Sequence, residues 1–123
     1  MKELIFAGTG GFIGASLRYI ISSWFSQFSR FGFPLGTFAV NFIGCTLLGI
    51  FVGLGLEKNS ALPLKEFAAI GVLGGFTTFS TFGLESFEML QAGHFKMTAI
   101  YVLGSIVLGL GGIGLGILIT HGN

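Results

Sequence analysis

Long stretches without a single charge dominate this chain and leave it few ways to fold. Leu35 to Leu56 is an uncharged run of 22 residues, and Met97 to Thr120 is one of 24. A helix crosses the hydrocarbon core of a bilayer with about 20 apolar residues, so each run is long enough to span. Leu4 to about Phe25, interrupted by Arg18, reads the same way, and Phe67 to Leu84 qualifies marginally. Only 9% of the 123 residues are charged and 52% are hydrophobic, with a mean hydropathy of +0.89. Soluble domains carry about 25% charged residues. The expectation is an all-α, multi-pass membrane protein: a single four-helix transmembrane domain over residues 1–123.

Little is left for chemistry outside the bilayer. The longest connection, Glu57 to Glu66, has ten residues, and no nucleophile–base or metal-ligand set stands out, so an enzyme is not expected. A net charge of +1 without a basic cluster gives no case for nucleic acid. The single cysteine, Cys45, lies mid-span, which excludes a disulfide or cysteine metal site within one chain. A cleaved signal is not expected either. One Lys and one Glu precede the first apolar run, and apolar character resumes after Arg18.

Lysines and arginines normally set orientation. Four spans put both termini on one side, with Lys2, Lys58 and Lys65, and leave Arg30 and Lys96 on the other. Three against two is hardly a bias, and the positive-inside rule needs one. Insertion in both orientations, a dual topology, is therefore expected.

The third span is built like a turn. Gly74-Gly75-Phe76-Thr77-Thr78-Phe79-Ser80-Thr81-Phe82 sets two adjacent glycines before a run of hydroxyls. Glycines are poor helix formers, and Thr and Ser hydroxyls compete for backbone hydrogen bonds. A break at membrane depth is expected there. Its freed N–H and C=O groups are tolerated only where protein, water or an ion satisfies them. A broken, hydroxyl-rich, Phe-studded span suggests a path for something small. The many glycines, 22 in all, fit close helix packing in lipid. Four short helices packed so tightly leave no lumen, so a path would run along helix surfaces or between subunits.

Polar residues mark its course. Arg18 is the only charge well inside a span; it either snorkels to the headgroups or forms a cationic mouth. Thr37, Asn41 and Cys45 fall at i, i+4 and i+8 and share a helix face, where the Asn41 amide serves as interhelical glue or as a donor to an anion. Tyr101 and Ser105 form a second stripe, which Gly109 continues without a polar group. Phe79 and Phe82 flank the break beside Ser80 and Thr81, and the positive edge of an aromatic ring can replace part of an anion's hydration. Phe51 belongs to neither stripe, so Phe→Ile there is expected to be mild. Glu85 and Glu88 read most simply as solvated caps of the third span; Glu85 could instead face the path. His94 and His121 read as solvated.

Taken in order, three motifs resemble the Fluc (CrcB) family of fluoride channels across essentially the whole chain. They are Gly10-Gly11-x-x-Gly14-Ala15-x-x-Arg18-Tyr19, then Gly36-Thr37-x-x-Val40-Asn41-x-x-Gly44, then Gly74 through Phe82. The last is highly specific. Fluoride itself comes from the resemblance alone. It implies a dual-topology antiparallel homodimer with two fluoride pathways and a structural sodium ion at its centre. Phe79 and Phe82 match the phenylalanines whose ring edges line the pathway. Asn41, Tyr101 and Ser105 match its polar residues, and Gly74 and Thr77 match the positions whose backbone carbonyls hold the sodium. Gly109 departs from the pattern, since many relatives place a hydroxyl there.

A passive path would suffice for such a task. Fluoride enters cells as the neutral acid and ionises in the more alkaline cytoplasm. The interior-negative cell membrane then drives the anion out with about 2.3 kcal/mol per 100 mV. The main alternative is a small dual-topology, proton-coupled exporter of cationic compounds, which needs a membrane-embedded acid where the first span carries Arg18. A structural or accessory membrane subunit would not require the polar stripes.

Overall fold

A computed structural model describes residues 1–58 and 60–121. Its elements are α1 (Lys2–Ser26), α2 (Leu35–Gly53), α3 (Lys65–Leu73), α4 (Phe79–Gln91) and α5 (Phe95–His121). α3 is wound as a π-helix and tightens into one α turn over Gly74–Phe76 before the chain breaks. α3 and α4 together form the third span, Lys65–Gln91, and all four spans are long and apolar enough to cross a bilayer. This is a multi-pass, all-helical membrane protein. With four spans crossing in turn, Lys2 and His121 fall at one end of the bundle and the α1–α2 and α4–α5 turns at the other.

Burial runs opposite to that of a soluble bundle. α5 contains the most apolar 18-residue window of the four spans, mean hydropathy 2.3, yet only 11% of that window is buried. Its leucines and isoleucines, such as Leu103, Leu110 and Leu118, face outward. Apolarity here matches lipid, and the helices associate through close backbone contact instead. α1 meets α3 through Gly10 and Gly14, where any Cβ would strike the Phe67 or Val72 carbonyl. α2 meets α5 in the same way at Gly49 against Ile113.

Two expectations are corrected. The adjacent glycines do not make the break: Gly74 and Gly75 are helical, and the chain turns extended only at Thr77 and Thr78. Their smallness serves packing, since a Cβ on Gly75 would sit 2.7 Å from the Gly11 carbonyl oxygen of α1. Phe51, expected to tolerate change because it lies outside the polar stripes, is buried in the small core. Truncating it would leave a cavity.

Candidate functional site

The break is two residues long and held from three sides. Thr77 (φ −86°, ψ 157°) and Thr78 (φ −147°, ψ 120°) are extended, so the helical ladder stops there. Asn41 on α2 takes over: its Nδ2 donates to the Thr78 carbonyl at 3.1 Å, and the Thr78 N–H donates to its Oδ1 at 2.8 Å. One side-chain amide thus pairs both backbone groups of one residue, as a neighbouring strand would. Thr78 Oγ1 accepts the Thr81 N–H at 3.2 Å and caps α4. From α1, Arg18 Nε donates to the Gly75 carbonyl at 3.0 Å. Arg18 is therefore tied to the α turn that follows α3.

These replacements leave the Gly74 and Thr77 carbonyls without their helical amide partners among the described residues. The amide that would close on Gly74 belongs to Thr78 and is held by Asn41. The amide that would close on Thr77 belongs to Thr81 and is held by Thr78 Oγ1. Both Gly74 and Thr77 line a groove of about 340 Å³ that runs along the helix surfaces. Asn41 and Cys45 of α2, Phe79 and Phe82 of α4, and Ser105 of α5 line it too. Gly109 lies at its edge, where a Cβ would have Cys45 Sγ 3.5 Å away. The Phe79 ring is 83% exposed on this face.

The remaining expected residues sit behind the groove. Tyr101 is fully buried, its ring 5.2 Å from that of Phe82 and 5.5 Å from that of Phe33. Thr37 donates its hydroxyl to Glu85, joining α2 to α4. Glu85 is thus partly buried within the third span, where a solvated cap had been expected, while Glu88 is exposed. The Tyr101 hydroxyl neighbours this pair without meeting hydrogen-bond geometry. Tyr101 Oη and Ser105 Oγ are the buried side-chain polar atoms left without a partner among the described residues. The Ser80 and Thr81 hydroxyls turn toward Thr78 Oγ1, at 3.5 and 3.1 Å.

Sequence reasoning did not single out Thr78 or Phe33. Thr78 was within reach, being a Thr placed just before the amphipathic run of α4, the usual N-cap position. Phe33 lies in a turn, and nothing in its local sequence points to Tyr101.

Comparison with known proteins supplies the family. Residues 5–117 match the family described as CrcB-like protein, Camphor Resistance (CrcB). A protein of Azobacteroides pseudotrichonymphae named fluoride-specific ion channel FluC is 42% identical over 122 residues, 98% of each chain. One of the same name from Phocaeicola vulgatus is 41% identical over 121 residues, covering 98% of this chain and 100% of the relative. Another from Helicobacter pylori is 43% identical over 114 residues, 91% of this chain and 88% of the relative. The matched residues run through all four spans, and the chain belongs to the CrcB family.

Proposed function

We propose that this protein is a fluoride-selective passive channel of the cell membrane that exports cytoplasmic fluoride down its electrochemical gradient and so confers fluoride resistance. The observation that carries this reading is two buried hydroxyls without a hydrogen-bond partner among the described residues: Ser105 Oγ on the groove with Phe82, and Tyr101 Oη next to Thr37 and Glu85. A buried polar group left unpaired costs about 1–3 kcal/mol. A small anion accepting from these hydroxyls in turn, with ring edges of Phe79 and Phe82 along its way, offsets that cost. Relatives named fluoride-specific ion channels fit the same anion. Thr37 and Glu85 are bonded to each other next to the Tyr101 hydroxyl, and in this reading the carboxylate takes part in passing the anion on.

The conducting unit in this reading is an antiparallel homodimer with two pathways. Among the described helices α4 contacts only α2 and α5, which leaves the break, Phe79 and the groove uncovered; a second copy closes them. The bare carbonyls of Gly74 and Thr77 suit a hard cation, which prefers oxygen ligands. Two such carbonyls from each copy would hold a central sodium ion, which when bound supplies positive charge that fastens the two breaks together. Asn41 and Arg18 keep those carbonyls presented by occupying the other groups the break sets free.

The test is fluoride efflux from liposomes containing the purified protein, without added protons or ATP. Fluoride should leave down its gradient while chloride does not, and comparable chloride flux would end the selectivity claim. Cysteines introduced near each terminus should be labelled from both sides of the membrane in about equal amounts. Labelling from one side only would rule out the antiparallel pair.

A further inference from the structure

At the end of the bundle away from the termini, a second hollow of about 480 Å³ lies between the α1–α2 turn and the start of α5. Arg30, His94 and Lys96 line it, together with Phe31, Phe33 and Ile100, and none of its lining residues is acidic. The fluoride reading uses none of the three basic side chains. We propose that this hollow binds an anionic phospholipid, the headgroup phosphate on Arg30 and Lys96 and an acyl chain over the phenylalanines.

Electrostatics call for an anion here. Lys96 stands in the first turn of α5, a helix of 27 residues, where the macrodipole already places positive charge and disfavours a cation. The first N–H groups of that helix, which have no carbonyl ahead of them within it, suit a phosphate. Arg30 and Lys96 make no ion pair among the described residues. A headgroup phosphate relieves the repulsion among these groups.

The backbone supplies an independent argument for the acyl chain. The Phe33 N–H donates to the Arg30 carbonyl at 3.1 Å, and Phe31 (φ 58°) and Gly32 (φ 77°) are both left-handed. That is a type I′ turn, whose first central position favours Asn, Asp or Gly. A phenylalanine held there costs about 1–3 kcal/mol, and the turn places its ring outward, 90% exposed. Such a ring in water gains nothing. At the bilayer interface it joins Trp24 and Phe28, packed edge-to-face at 5.2 Å on the neighbouring end of α1, in an aromatic belt. A free phosphate would use the cations and leave the apolar wall idle; a phospholipid uses both. In the antiparallel dimer each leaflet would meet one such site, although the site itself does not depend on the dimer or on fluoride.

Native mass spectrometry of the purified full-length protein, given equal phosphatidylglycerol and phosphatidylcholine, tests this. Phosphatidylglycerol should be retained preferentially, and excess inorganic phosphate should leave it in place. The double variant Arg30→Gln/Lys96→Gln should lose retention by about fivefold per charge removed, about 1 kcal/mol each. Lys58→Gln/Lys65→Gln, at the opposite end, should match the parent. Phe31→Asn, which suits the turn and so keeps the fold, should lower retention while raising thermal stability. Equal retention of the two lipids, displacement by inorganic phosphate, or parental retention by either Arg30→Gln/Lys96→Gln or Phe31→Asn would overturn the proposal. Should the double variant not assemble, Phe31→Asn and the phosphate competition decide the matter.

Discussion

Gly74 and Gly75 are neighbours in sequence and face opposite worlds. Gly75 is pressed against α1, where a Cβ would come within 2.7 Å of the Gly11 carbonyl oxygen. Gly74 is exposed on the groove, and the nearest atom to a Cβ there is 3.6 Å away. The same residue type therefore closes one side of the third span and opens the other. On the α1 side, small residues bring backbone onto backbone, and Arg18 satisfies the carbonyl that the break leaves free. On the groove side, smallness exposes carbonyls that no amide reaches. Packing and function in this molecule differ less in composition than in whether each polar atom finds its partner within the chain.

The largest effect should come from filling the closed side. Gly14→Val would drive its side chain into the Val72 carbonyl, with the Phe76 nitrogen 2.9 Å from the Cβ position. Both neighbours are backbone, so no flexible side chain can yield. Overpacking usually costs about 1–3 kcal/mol; here the two helices must separate, and the expected outcome exceeds that range. Gel filtration and thermal unfolding in detergent should show little or no assembled protein. Parental stability would mean the seam is loose and the contrast false.

The next effect belongs to the break. Asn41→Leu leaves the Thr78 N–H and C=O unpaired inside the membrane, at about 1–3 kcal/mol for each group. Asn41→Asp keeps the acceptor for the Thr78 N–H and loses the donor to its carbonyl, so its loss should be intermediate. Efflux should fall at least tenfold in Asn41→Leu (about 1.4 kcal/mol or more) and less in Asn41→Asp, if the clamp is structural. An equal loss in both would instead assign Asn41 a direct part in conduction.

How much of this was legible beforehand varies by residue. The four spans follow from charge spacing alone, because lipid demands apolar length whatever the tertiary contacts. The break was foreseen in the right segment; the hydroxyl residues to which it was ascribed carry it, at Thr77 and Thr78, and the glycines do not. Helix propensity disfavours Gly74 and Gly75, but their close contact with α1 outweighs about 1 kcal/mol of propensity. The π-winding of Lys65–Leu73 had no local signal in the sequence. Asn41 was legible as a costly mid-span amide, though not its partner, which lies 37 positions away. Glu85 looked like a solvated cap because the apolar run stops at Leu84, whereas the helix continues to Gln91.

A smaller effect tests the rings. Phe82→Ile keeps apolar bulk and removes the quadrupole and the stacking on Tyr101, 5.2 Å away. Aromatic pairs contribute about 0.5–1.5 kcal/mol beyond their buried area, so efflux should fall up to about tenfold with the dimer intact. Phe79→Ile should behave alike. Phe87, 58% exposed and outside the groove, is the fitting control, and Phe87→Ile should transport like the parent. Equal efflux from all three variants would mean that the rings of Phe79 and Phe82 only pack.

The smallest effect is expected at Gly109, where the open side can be extended without strain. Its Cβ position has only Cys45 Sγ within reach, at 3.5 Å, an ordinary van der Waals contact. Gly109→Ser therefore adds a hydroxyl one turn beyond Ser105 on the groove-facing side of α5. Helix propensity favours the change by a few tenths of a kcal/mol, so thermal stability should hold or rise slightly. If hydroxyl donors carry the anion, efflux should stay at the parental level or increase by no more than a few-fold, and Gly109→Ala should leave it unchanged. A loss of assembly in Gly109→Ala would show that this face is closed by something as tight as the α1 seam. The distinction between the two sides of the bundle would then have to be redrawn around α5.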